Sequence, residues 1–491
     1  MANPDRLTAL DAAFLHIETG EAHMHVASIM VFEGEPPAYE DVLSSLDERM
    51  HLVPRYRQKL AWVPLDQGRP VWVDDPHFNL AYHVRHSALP APGSDEQLAA
   101  LGGRVFAVAL DRHKPLWEIQ LVEGLAPAPD GTPRFAMMAK THHALVDGVS
   151  GVDITSVLFS TTPDPMPVGP AATAWIPRPE PTGVQLLAEA LTERAVSPAE
   201  GLRVVRALGR APRSVIRRAT GQLAAAGSMA WTGMRGAPPT PLNVPIGPHR
   251  RYGWVDTPLE LLKGIKNGLG GTVNDAVLTT VALALGRFLR RRGFETEGLV
   301  LKVLVPVSVR TTDQHGALGN QVSAMWAPLP MDVDDPRACF ERVHMEMGDL
   351  KESGQAVGAE VLTGMADFAP PTIFSQAARL QARQRFFNLV VTNVPGPQIP
   401  LYLLGRRMVA IHPVVPLAPT TGLGIAIMSY CGRLSFGLMA DYDAIPDLGD
   451  LIADVEGALF DLGRAAETER HPWRMGARDA VRTAHTPATA G

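Results

Sequence analysis

His142 and His143 stand side by side, Asp147 lies four residues after the second, and Gly148 follows: His142-His143-Ala144-Leu145-Val146-Asp147-Gly148. A neutral imidazole, with an unperturbed pKa near ~6.5, can take a proton from a hydroxyl at neutral pH. A positioned base of this kind contributes about 10²–10⁴-fold to a rate. Asp147 can return to the local backbone or meet an arginine, and so hold the loop that carries the imidazole. Gly148 supplies a backbone geometry that a side chain forbids. Two plainer readings compete. The histidines can be buried and satisfied, with Asp147 only a helix cap. Alternatively His142, His143 and Asp147 are all metal-ligand types. A metal needs three or four converging ligands. This run supplies three at most and no second cluster is evident, so no metal is expected.

The apolar run 135–141 predicts a strand that leads straight into the histidines, and Asp147 then opens a helix expected to reach about residue 159. Neighbouring strand residues point to opposite faces. One histidine is therefore expected toward the reacting groups and the other toward the interior. Residues 1–162 read as mixed α/β, with strands at 24–32 and 117–122 and helices at 39–50 and 94–107, the second capped by Ser94. Residues 163–249 form a Pro-rich linker, with seven prolines from Pro163 to Pro181, followed by an Arg-rich helical segment. A second α/β region spans 250–464. Its helices are expected at 259–267, 273–292, 336–352 and 448–462, and its strands at 299–309, 320–329, 387–393, 408–415, 423–430 and 434–439. The tail, 465–491, reads as weakly ordered. A length of 491 residues fits two or three domains.

Bulk properties narrow the functional classes. The net charge of −6 gives no global attraction to nucleic acid or to an anionic membrane. Cys339 and Cys431 form neither a disulfide framework nor a zinc pattern, which fits a reducing cytosol. Met1-Ala2-Asn3-Pro4-Asp5-Arg6 does not read as the start of a signal peptide. Residues 408–432 lack Asp, Glu, Lys and Arg, but Pro413, Pro416, Pro419, Gly422 and Gly424 break them into short buried strands rather than a spanning helix. Between residues 201 and 255 there are nine arginines and no acidic residue, with Arg203, Arg206, Arg210, Arg213, Arg217 and Arg218 among apolar residues. That pattern is a solvated helix face, a basic surface resting on a membrane or lipid droplet, or an attractant for phosphates. No GxxxxGK[ST] loop and no GxSxG elbow is present, which counts against nucleotide hydrolysis and serine esterase chemistry.

Other short segments admit both a structural and a functional reading. Pro115-Leu116-Trp117-Glu118 begins a strand, where a tryptophan is core or lines a substrate channel. Thr272-Val273-Asn274-Asp275 opens a long helix, with Thr272 and Asp275 as a variant capping box. Asn393-Val394-Pro395-Gly396-Pro397 reads as a rigid turn after a strand.

Together these residues resemble the bacterial wax ester synthase/acyl-CoA:diacylglycerol acyltransferase family. The histidine run is similar to its HHxxxDG motif, whose HxxxDG part is shared across the chloramphenicol-acetyltransferase-like superfamily. Leu7-Thr8-Ala9-Leu10-Asp11-Ala12-Ala13-Phe14-Leu15 with Met24-His25-Val26 resembles the N-terminal signature. Pro115-Leu116-Trp117 resembles the PLW motif, Asn274-Asp275 the ND motif, and Asn393 to Pro397 the C-terminal NVPGP segment. The likeness runs from residue 7 to about 462.

The resemblance implies an α/β fold of two chloramphenicol-acetyltransferase-like domains with a channel between them. It implies His143 as general base, with His142 supporting and Asp147 and Gly148 shaping the loop. It also implies acyl-CoA as co-substrate, no other cofactor, and diacylglycerol or a long-chain alcohol as acceptor, giving triacylglycerol or wax ester. Asn274 and Asp275, with Pro115, Leu116 and Trp117, are the expected substrate-binding residues. Asn274 could donate to the developing oxyanion, a contact worth about ~3 kcal/mol, with Ser308 and Thr392 as rival donors. The expected location is the cytoplasm, with peripheral association with the inner membrane face or lipid droplets as the open extension. The competing functions are another superfamily acyltransferase with a different acceptor, a non-catalytic lipid-binding protein on this fold, and metal-dependent hydrolysis.

Overall fold

The computed structural model describes residues 5–146, 157–164, 169, 173–193, 236–308, 322–352 and 386–470. Two six-stranded sheets dominate it. The first is built from β1 (His25–Glu33), β4 (Val84–Ala88), β5 (Trp117–Leu125), β6 (Arg134–His142), β11 (Tyr402–Leu403) and β12 (Arg406–Val414). Its order is β11-β12-β1-β6-β5-β4. The second contains β7 (Arg250–Pro258), β8 (Val300–Ser308), β9 (Val322–Pro330), β10 (Leu389–Pro395), β13 (Leu423–Tyr430) and β14 (Arg433–Asp441). Its order is β7-β14-β13-β10-β8-β9. A small ribbon joins β2 (Gln58–Ala61) to β3 (Val71–Asp74).

Alternation along the strands decides which core each residue enters. In β6, Phe135, Met137 and Ala139 pack into the outer core of the first half, with Leu7, Leu15 and Trp117. Ala136 and Met138 point the other way, into a core shared with Tyr252 and Met439 of the second half. Burial on both faces explains why β6 reads as a continuous apolar run rather than an alternating one. His142 has the parity of Ala136 and Met138, on the face of β6 opposite the outer core, and its ring meets Glu18 and His25 there.

The largest core belongs to the second half. The helix Val273–Arg291 runs through it with 14 buried residues, packed among the second sheet and the helices Pro336–Glu352 and Leu448–Arg470. Thr272 and Asp275 form the capping box read from the sequence, each side chain bonded to the other's backbone N–H. The helix Asp95–Ala107 is capped the same way by Ser94 and Gln97. The closing helix is longer than expected, reaching Arg470.

Strand β12 departs from the linear division of the chain. Residues 408–415 lie within the stretch assigned to the second α/β region. Yet β12 leaves the second half to pair antiparallel with β1 of the first sheet. It also packs closely on β14: a Cβ placed on Gly437 would lie 1.9 Å from the Pro413 carbonyl oxygen. No residue other than glycine tolerates that approach. The NVPGP segment differs from expectation too. Asn393, Val394 and Pro395 are still strand, paired parallel with β13 as far as Ser429, so the turn begins at Gly396.

Candidate active site

His142 is the last residue of β6 and His143 the first of a one-turn helix, His143–Val146. Backbone bonds seat both: His142 N–H donates to the Leu116 carbonyl at 2.9 Å and His143 N–H to the Met24 carbonyl at 2.8 Å. The His142 ring is buried, and its Nδ1 accepts from the Ala144 N–H at 3.0 Å. An accepting Nδ1 places the proton of the neutral ring on Nε2. That nitrogen lies 3.1 Å from Glu18 Oε1, an ion-pair distance with poor hydrogen-bond alignment. His143 is half-buried and its ring stacks on Phe14, with centroids 3.9 Å apart and planes 21° from parallel.

Nothing in the sequence sets Glu18 or Arg112 apart. Glu18 caps the C-terminus of the helix Ala9–Ile17, and its side chain is only 8% exposed. Oε1 accepts from the Met24 N–H at 2.7 Å, and Oε2 accepts from Arg112 Nε at 3.2 Å and from Arg112 Nη2. Arg112 Nη2 also donates to the Leu15 carbonyl at 2.9 Å. Burial pushes the Glu18 carboxyl upward, but the adjacent His142 ring and the bidentate Arg112 guanidinium outweigh it and hold the group well below the usual carboxylate range. His25, paired in register with His142, is held well below the ordinary histidine value by burial first and the Lys140 charge second. The buried Lys140 ammonium caps the preceding helix through the Val105 and Val108 carbonyls, each at 3.1 Å.

The other expected residues separate into groups. Pro115, Leu116 and Trp117 are buried beside the histidines. Trp117 is a core residue: its Nε1 donates to the Tyr56 carbonyl at 2.8 Å and its ring stacks on His83 at 4.6 Å. Pro115 and Trp117 also border a surface cleft of about 290 Å³ with Tyr82, Arg85 and Lys114. In the second half, Asn274 is half-buried and meets Asn393, whose Nδ2 donates to Asn274 Oδ1 at 3.5 Å. Asp275 is committed to structure: its Oδ2 accepts from Thr272 N–H at 2.9 Å and from His344 Nδ1 at 2.8 Å. Asp147 and Gly148, the expected helix as far as residue 156, and the Arg-rich run 203–218 lie outside the described residues.

Among the described residues, no group of three or more His, Cys, Asp and Glu side chains could hold a metal ion. No single helix there is long and apolar enough to cross a membrane. The helices Leu259–Leu269 and Val273–Arg291 reach that length and composition only together, bent by 97°, and the longer one is core.

Comparison with known proteins agrees along nearly the whole chain. The model of the wax ester synthase/diacylglycerol acyltransferase catalytic domain matches residues 7–277, and that of the WS/DGAT C-terminal domain matches residues 318–462. The probable diacylglycerol O-acyltransferase tgs1 of Mycobacterium tuberculosis is 33% identical over 97% of this chain and 100% of its own length. Among solved structures, a wax ester synthase/diacylglycerol acyltransferase from Marinobacter aquaeolei VT8 superposes with a TM-score of 0.65. It is 25% identical, with 94% of this chain and 100% of that one covered. A trichothecene 15-O-acetyltransferase from Fusarium sporotrichioides shares the fold at 11% identity, with a TM-score of 0.57 and coverage of 93% and 94%.

Proposed function

Because the chain belongs to the wax ester synthase/diacylglycerol acyltransferase family, we propose that His143 is the general base of its acyl transfer and that diacylglycerol is its principal acceptor. The family reaction moves an acyl group from acyl-CoA to a lipid hydroxyl and forms triacylglycerol or wax ester. One observation carries the choice of histidine. Both ring nitrogens of His142 are directed to the protein, one to the Ala144 N–H and the other to Glu18. His143 is then the imidazole of the pair that serves the substrate, its ring plane fixed by Phe14.

In this reading His143 takes the proton of the acceptor hydroxyl as the oxygen attacks the thioester carbonyl. A tetrahedral oxyanion forms, the C–S bond breaks, and the departing CoA thiolate recovers the proton from the imidazolium. Asn274 serves the oxyanion. Its Oδ1 accepts from Asn393, which leaves its own amide N–H groups as donors at a helix N-terminus, where the dipole favours negative charge. Acyl-CoA is a co-substrate in this scheme, and no cofactor is required. Peripheral contact with a membrane or droplet surface is proposed from the arginine run 203–218 of the sequence alone.

The test measures CoA release from a long-chain acyl-CoA, with diacylglycerol and hexadecanol offered separately. Acceptor-dependent release by wild type should fall about 10²–10⁴-fold in His143→Ala, and diacylglycerol should be the faster acceptor. Equal release by wild type and His143→Ala would overturn the base assignment. Faster release with hexadecanol would overturn the acceptor. Activity that survives chelation removes metal-dependent hydrolysis.

A further inference from the structure

We infer that Glu18, clamped by Arg112, is a positioning residue for the acyl-transfer base, setting the tautomer of His142 and the backbone seat of His143 through one carboxylate oxygen. The inference rests on the proposed role of His143. Glu18 Oε1 meets two groups at once, Met24 N–H at 2.7 Å and His142 Nε2 at 3.1 Å. Met24 in turn receives the His143 N–H on its carbonyl at 2.8 Å. The chain of contact therefore runs from carboxylate to Met24 backbone to the backbone of the base. The second arm runs from the carboxylate to Nε2 of His142, whose Nδ1 accepts the Ala144 N–H one residue beyond the base.

The clamp supplies the stiffness. Arg112 binds Glu18 Oε2 through two nitrogens and the Leu15 carbonyl through one of them. It thereby ties the carboxylate to the last turn of the helix Ala9–Ile17. That helix also carries Phe14, the ring stacked on His143. One short helix thus controls the base from two directions, by ring stacking and by a buried anion. A neutral amide at position 18 cannot do the same work. Its oxygen can accept the Met24 N–H, but its NH₂ must then face the guanidinium, donor against donor. His142 loses the anion that favours its Nε2 proton. A base displaced by about 1 Å can lose on the order of 100-fold in rate.

The test compares Glu18→Gln, Glu18→Asp and Arg112→Met with wild type and His143→Ala. Each is scored by kcat, by KM for acyl-CoA and by the side-chain nitrogen spectrum of ¹⁵N-histidine-labelled protein. Glu18→Gln should lower kcat by about 10–100-fold while KM moves less than about twofold. The His142 signals should shift away from the Nε2–H tautomer. Glu18→Asp, too short to span both partners, should recover the tautomer only in part, and its kcat should follow. If Glu18→Gln does not fold, Arg112→Met is read in its place and should loosen the same tautomer with a smaller loss of kcat. Unchanged kcat and unchanged tautomer in a folded Glu18 or Arg112 variant, with His143→Ala inactive, would overturn this inference and leave the base assignment standing. An active His143→Ala would overturn the base assignment itself.

Discussion

Two adjacent imidazoles meet different surroundings, and a third shows how strongly surroundings act. His83 lies buried between Phe78 and Trp117, its Nδ1 bonded to the Trp117 carbonyl at 2.8 Å. Burial pushes it down to about 4. The folded state therefore prefers a neutral ring that the unfolded chain protonates near ~6.5. Its contribution to stability is complete above that value and is lost as pH falls toward 4, at up to about 1.4 kcal/mol per pH unit. His83→Phe should be less stable than wild type at pH 7.5 and should lose less on acidification, as thermal melts at both ends of the range would record. The histidine run stood out through its resemblance to the HHxxxDG motif, since two adjacent histidines by themselves read equally as buried and satisfied. Glu18 and Arg112 were not legible. They are 94 positions apart, each stands among ordinary surface-type residues, and only the folded chain makes them neighbours.

At the scale of elements, caps and close approaches carry the predictions. Removing the Thr272 hydroxyl breaks half of the capping box at the helix that presents Asn274. Thr272→Ala should cost about 1 kcal/mol of stability, read by denaturant melts, and should lower kcat as Asn274 loses its fixed start. Gly437→Ala asks for space that the Pro413 carbonyl occupies. We expect a loss above about 3 kcal/mol or no folded protein, visible in soluble yield and thermal midpoint. Most strands were legible as apolar runs, and both capped helices were legible from Ser94 and Thr272, since those signals are local. The destination of β12 was not. Its stretch 408–415 reads as an apolar strand just as β13 does, and nothing in a strand's own sequence names the partner it pairs with. The start of the turn in Asn393–Pro397 was not legible for a similar reason, because pairing with β13 carries the strand through Pro395.

Across the whole molecule the two sheets are not independent bodies. Tyr252 and Met439 of the second half share a core with Ile29 and Met138 of the first, and Tyr252 Oη donates to the Pro413 carbonyl at 3.0 Å. Arg250 reaches across to the Glu21 carbonyl. Calorimetry should therefore show one cooperative unfolding transition rather than two. Two separated transitions would mean that the shared core is energetically slight. Acid should find the protein's weak side. Glu18, His25 and His83 all sit below their ordinary values, so each favours folding at neutral pH and each withdraws that support as pH falls, the histidines first below about 6.5 and the carboxylate below about 4.3.

The path of β12 also bears on how such a chain can be inherited or cut. A gene fragment ending near residue 249 would encode a first sheet without its β12 strand, and β1 would present a bare row of amides and carbonyls that invites pairing with any passing strand. The complementary fragment would keep β12 against β14 but leave the edge that pairs with β1 empty. Neither piece should fold as a module in its own right. Duplication, shuffling or fusion of this protein is then constrained to keep both halves together, because the seam between them runs through space and does not fall at any one residue.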